Sequence, residues 1–190
     1  LINYAKEVKG AQIGLINIAS KRLDGAAVGL INYAGNGILA PTVWSSDTSL
    51  INAGLKIGGP YLFGILGAGY HGFGELDRYS LIGGLGGHIN FTRLWVELDL
   101  TANRIFQNYN WDSESTGYIL KLRPVLGIRI IEQLSFYCGP TMNIAITTYA
   151  LNKEMIDPLI VYQSNSSDYQ YGFSIGYAAG LQWEPRGVRH

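Results

Sequence analysis

The segment Tyr169–Trp183 alternates with almost no exception, and this leaves few folds open to the chain. One face carries Tyr169, Tyr171, Phe173, Ile175, Tyr177, Ala179, Leu181 and Trp183; the other carries Gln170, Gly172, Ser174, Gly176, Ala178, Gly180 and Gln182. A period of two over this length is a β-strand signature, and such a strand is long for a soluble domain. The same parity sets Leu94, Val96, Leu98 and Leu100 against Trp95, Glu97, Asp99 and Thr101, and Leu120, Leu122, Leu126 and Ile128 against Lys121, Arg123 and Arg129. Phe136, Met142, Ile144 and Ile146 oppose Ser135, Tyr137, Thr141 and Asn143 in the same way. Helical periodicity does not compete anywhere, so the fold class expected is all-β.

Connections between these runs alternate in length. They are short near Gly58-Gly59-Pro60, Phe91-Thr92 and Ile131-Glu132, and long over 72–79, 106–116 and 148–168. That is an antiparallel up-and-down meander with two unequal ends, the arrangement of transmembrane β-barrels with short periplasmic turns and long outer loops. Strands are expected near 25–34, 48–58, 61–71, 80–91, 93–105, 117–130, 133–147 and 168–183, closing a barrel whose two chain ends lie on the short-turn side. Charges gather on the second face, where Glu97 and Asp99 can meet Lys121 and Arg123 across one hairpin in a water-poor lumen. Tyr61, Phe63, Tyr169, Tyr171 and Trp183 lie near strand ends, where interfacial girdles form. The alternative is a soluble eight-stranded barrel of lipocalin type, with the apolar face turned inward around a ligand.

The first 34 residues repeat. Leu1-Ile2-Asn3-Tyr4-Ala5 recurs as Leu15-Ile16-Asn17-Ile18-Ala19 and Leu30-Ile31-Asn32-Tyr33-Ala34, at spacings of 14 and 15 residues, and Leu50-Ile51-Asn52-Ala53 is a fainter echo. Each unit reads as strand plus turn. Hairpin strands that join the wall and solenoid coils with two short strands per turn both fit. The wall therefore has 8 to 10 strands, and the chain divides into repeats at 1–34 continuous with the barrel, a barrel at 35–183 and a tail at 184–190.

Composition narrows the function classes. Fourteen basic and 14 acidic side chains cancel, so no basic face is on offer to nucleic acid. Charged residues are 15% of the chain, against about 25% in ordinary soluble domains. The solitary Cys138 excludes an intrachain disulfide and a thiolate metal cluster. No apolar run reaches the 18 or more residues of a transmembrane helix. The chain opens at Leu1 with no basic-then-apolar leader, so any export signal is expected to have been removed or to lie outside these residues, and its absence excludes no location.

Candidate chemistry is sparse. His71, His88 and His190 are scattered without metal-ligand spacing, and no metal or cofactor is expected. His88 shares the predicted lumen face with Glu97, as part of a network of Glu97, Asp99, Lys121, Arg123 and His88. His71 beside Asp77 and Ser80 flanks the first long loop, where a lipid-modifying enzyme would place a rim site. The loop at 106–116 carries Tyr109, Trp111, Asp112 and Glu114, acidic and aromatic together, as candidates for binding a cation or sugar.

The repeats, with Gly14-Leu15-Ile16-Asn17 and Gly29-Leu30-Ile31-Asn32, resemble those of surface-repeat-containing outer-membrane β-barrel proteins of Gram-negative bacteria. The join Gly35-Asn36-Gly37-Ile38-Leu39-Ala40-Pro41-Thr42, the stretch Asn52-Ala53-Gly54-Leu55-Lys56 and the stretch Tyr137-Cys138-Gly139-Pro140-Thr141 are similar to segments of that group. The closing Gly180-Leu181-Gln182-Trp183 resembles the last-strand signal read by barrel-assembly machinery. This resemblance implies a fold and a location in the bacterial outer membrane; it implies no reaction and carries over no catalytic residue.

The expectation is thus a small outer-membrane barrel with a plugged lumen, acting as a surface binding or structural module through its long loops and repeats. Its partners are outer-membrane lipid, the assembly machinery and an unidentified surface ligand, without nucleic acid. Enzymatic activity is not expected. A lipid-modifying enzyme, a narrow channel and a soluble lipocalin-like binder are the alternatives.

Overall fold

A computed structural model describes residues 1–29, 31–71, 78–107, 116–148, 160–165 and 169–184. They form twelve strands: β1 (Ile2–Ile13), β2 (Ile16–Val28), β3 (Ile31–Ala34), β4 (Leu39–Ser46), β5 (Ser49–Gly58), β6 (Leu62–Tyr70), β7 (Arg78–Asn90), β8 (Leu94–Gln107), β9 (Thr116–Ile131), β10 (Leu134–Thr148), β11 (Ile160–Asn165) and β12 (Tyr169–Trp183). Eight of them, β4 to β10 and β12, pair antiparallel with their neighbours and close when β12 meets β4. The result is a closed eight-stranded up-and-down barrel.

Closure is uneven. β4 reaches only from Leu39 to Ser46, so it pairs with β12 over Ala178–Gln182. Along the same edge, the earlier part of β12 is paired by β11 from the last long connection. Strand edges are thereby covered where β4 runs out, as buried backbone groups require. Both β4 and β12 have their outer chain ends on the short-turn side.

The repeats do not enter the wall. β1, β2 and β3 form a separate sheet in which all pairs are parallel, with Ile2 beside Ile16, Ile16 beside Ile31, and each Asn and Ala beside its counterpart. Parallel neighbours cannot be joined by hairpins, which removes the ten-stranded wall. Asn3 Nδ2 donates to the carbonyl of Ile13 at 2.8 Å, so a unit folds back on itself as a coil. The expected first barrel strand at 25–34 is likewise corrected: those residues belong to β2 and β3, and the barrel begins at Leu39. Repeated Leu-Ile-Asn motifs stack best on copies of themselves, because identical side chains then meet in register.

The stack is held by an amide ladder. Asn3 Nδ2 donates to Asn17 Oδ1, and Asn17 Nδ2 to Asn32 Oδ1, both at 2.8 Å. Ala19, Leu23, Ala27 and Ala34 fill the small interior with Val8. Gly10 and Gly25, neighbours in the stack, have φ of 105° and 146°, a region L-residues rarely occupy. Asn36 fastens the sheet to the start of the barrel by accepting from the backbone N–H of Leu23 and donating to its carbonyl. Leu23 lies close to Gly59 in the β5–β6 turn, which sets the repeat sheet against the short-turn end.

Faces sort as alternation requires. Tyr177 is 59% exposed and Leu181 46%, whereas Lys121 is 6% exposed and Glu97 2%. The apolar side chains of the wall look outward and the charged ones inward, opposite to the lipocalin-type alternative. Tyr61, Tyr171 and Trp183 stand outward near strand ends, but Phe63 does not. It falls on the inward parity of β6, between outward Leu62 and its neighbours, and is buried in the lumen.

Candidate functional site in the barrel interior

Strands β5, β8 and β9 project their charges into the middle of the barrel. Asp99 and Arg123 are direct cross-strand partners, and Arg123 Nη2 donates to Asp99 Oδ2 at 2.7 Å. Lys56, from β5, pairs with Glu97 and lies 3.8 Å from Asp99. Two cations and two carboxylates therefore neutralise one another among groups that are almost wholly buried. Desolvation of each ion is costly, and only close pairing of this kind offsets it.

Aromatic rings enclose these charges. The Lys56 ammonium lies 5.1 Å from the Phe63 ring centroid, 5.6 Å from Trp95 and 5.2 Å from Tyr137. The Arg123 guanidinium lies 5.0 Å from the Trp44 ring. Ring faces attract cations most strongly where water is excluded. Gly127, opposite Trp95 on β9, gives the indole its space: a Cβ there would overlap the ring. Tyr137 shares a 2.8 Å hydrogen bond with Thr42, which ties β10 to β4 across the seam.

The remaining predicted members divide. His88 is the cross-strand partner of Glu97, yet its ring stacks on Phe63 with centroids 5.6 Å apart while Glu97 turns to Lys56. Lys121 is buried on the same face as Arg123 but lies one pair further along β9, opposite Thr101. It bonds Thr48 and faces Asp47 at 3.8 Å, both in the β4–β5 turn. That turn folds into the lumen, where Asp47 accepts from Thr141 Oγ1 at 3.1 Å and from Asn143 Nδ2 at 2.7 Å. Gly176 leaves the room for it.

Lys56 and Asp47 are the principal residues that sequence reasoning missed. Lys56 was legible, since it shares parity with Asn52 and Gly54 on the polar face of β5. Nothing local marks a turn aspartate as inward-facing.

Between the ion cluster and the long-loop end lies a polar recess lined by Ser46, Ser49, Asn52, His71, Ser80 and Lys121, among others. Its void is about 10 Å3, room for one water. His71 Nδ1 bonds the carbonyl of Thr48, and its Nε2 has no partner among the described residues. Burial pushes this imidazole down to about 4, the Thr48 carbonyl opposes that shift, and Lys121 and Arg78 add to it. His71 and Ser80 line one recess, but no hydrogen bond joins them; Asp77 lies outside the described residues. Tyr109, Trp111, Asp112 and Glu114 also lie outside them, as does His190.

No protein-family model matches the chain, and no curated protein is significantly similar to it. The fold and the interior define a class: a small β-barrel with an apolar outer wall and a charged, packed interior.

Proposed function

We propose that this protein is a membrane-spanning barrel of the bacterial outer membrane whose lumen is plugged, and that it serves as a structural or binding module instead of a pore. The observation that carries this reading is the inverted distribution of polarity, with Lys56 at 0% exposure inside and Leu100 at 56% outside. Water rewards the opposite arrangement, and monomeric soluble proteins rarely expose apolar patches beyond a few hundred Å2. Strands β7 to β10 and β12 run 13 to 16 residues, enough for the roughly 9–11 residues of a tilted membrane strand. An eight-stranded wall encloses little more than its own side chains, and the Lys56, Glu97, Asp99 and Arg123 cluster fills that space.

The antiparallel wall and Trp183 at the end of its last strand fit the assembly-machinery partner implied by the family resemblance. The repeat sheet lies at the short-turn end, which in this orientation faces the periplasm, so recognition at the cell surface falls to the long connections. Detergent-extracted protein is expected to migrate faster unheated than boiled on a gel, and to give no steady current steps in a planar bilayer. Folded protein that stays soluble without detergent would overturn the membrane assignment. A stable conductance would overturn the plug.

A further inference from the structure

We propose that the seam between the repeat sheet and the outside of the barrel holds one acyl chain of a membrane phospholipid. Leu62, Gly87 and Leu98 are successive cross-strand partners on β6, β7 and β8 and form one outward row. Because its middle member has no side chain, the row has a notch between two leucines. Leu85 bounds the notch further along β7, and Ala27 and Val28 at the end of β2 stand over it. The half-open space is about 220 Å3, larger than the ~150 Å3 aliphatic cavity that takes up benzene.

The chemistry of the lining selects the occupant. Among the described residues no charged side chain lines the groove, and the polar side chain on it, Asn32, is already engaged by Asn17 and by the carbonyl of Gly29. The groove is open on the outer side, where Leu62, Leu85, Leu98 and Val28 remain between 40% and 53% exposed. It is thus continuous with the apolar band of the wall, and this inference rests on that band facing hydrocarbon. Elsewhere the convex wall touches a lipid from one side only, whereas the seam contacts a chain from two sides, and dispersion contacts add with each. A headgroup finds no partner among the described residues of the groove, so recognition is of the chain.

The test uses phosphatidylcholine with a diazirine at mid-chain, reconstituted with the folded protein in vesicles, and maps photolabelled residues by mass spectrometry. Val28, Leu62 and Leu85 are expected to be labelled several-fold above Leu126 and Ile144, which lie on other strands of the outer face. A Cβ on Gly87 would meet Leu62 Cδ2 at 3.5 Å and the Tyr61 carbonyl at 3.6 Å, ordinary contact. Gly87→Leu should therefore fill the notch and abolish the excess, while Gly87→Ala keeps it. Val28→Asp, which places a charge on the opposite side of the groove, should abolish it as well. Equal labelling of seam and outer band, or an excess that survives both filling and charging, overturns the seam site and leaves the membrane assignment standing. Absence of label from Leu126, Ile144 and the seam together overturns the membrane assignment itself.

Discussion

Arg123 and Asp99 meet directly across the β8–β9 ladder and share a 2.7 Å hydrogen bond with both side chains buried. Their worth lies less in the bond than in what each does for the other, since either alone is an uncompensated charge inside the barrel. Arg123→Met leaves Asp99 and Glu97 to share Lys56. It is expected to destabilise the barrel by about 3–5 kcal/mol, and the double variant Asp99→Asn, Arg123→Met should recover most of that loss. Equilibrium urea unfolding in detergent micelles measures both. Equal losses in the single and double variants would mean that the pair is not coupled.

The repeat sheet should lose its order separately from the barrel. Asn17 is buried, links Asn3 to Asn32, and donates to the carbonyl of Val28 at 3.0 Å. Asn17→Ala leaves these partners unpaired, a cost of about 1–3 kcal/mol for each buried group that water does not reach. Limited proteolysis is expected to cut the first 34 residues faster in this variant, with unchanged heat-modifiable migration of the barrel. Loss of both together would show that the sheet and barrel fold as one unit.

The His71 imidazole yields a pH dependence with a definite sign. Burial depresses its folded-state value to about 4 from an unfolded value of 6.5. Above 6.5 both states hold it neutral and its contribution to stability is complete. As pH falls from 6.5 toward 4 the unfolded chain takes up the proton first, so stability is lost through that window, by up to about 3 kcal/mol. The difference in unfolding midpoint between wild type and His71→Gln should therefore shift against wild type as pH falls over this range. Parallel curves from pH 7 to pH 4 would contradict the assignment.

Alternation made the faces of the wall legible residue by residue. Seven of the eight strands expected for the barrel lie close to their observed positions, and the pairing of Asp99 with Arg123 follows from parity and a short turn. The first strand was not legible, because Leu30-Ile31-Asn32-Tyr33-Ala34 alternates like any wall strand. A local pattern does not record whether a strand pairs parallel or antiparallel; recurrence of the same residues, Asn over Asn, is the signal that a stack was meant. The partner of Lys121 was illegible for another reason. Two inward carboxylates lay within reach on the neighbouring strand, but the turn bearing Asp47 folds into the lumen and supplies a nearer one.

The account depends above all on the outer face meeting hydrocarbon, and Ile175 probes it directly. It lies outward on β12, paired with Met142 on β10, and is 41% exposed. Folding free energies of wild type and Ile175→Arg, measured by reversible urea unfolding in phosphatidylcholine vesicles, should differ by roughly 2–4 kcal/mol if the residue sits near the bilayer midplane, where arginine is most costly. An arginine accepted there with no change in folding free energy would mean that this face is wet, and the membrane assignment would fail.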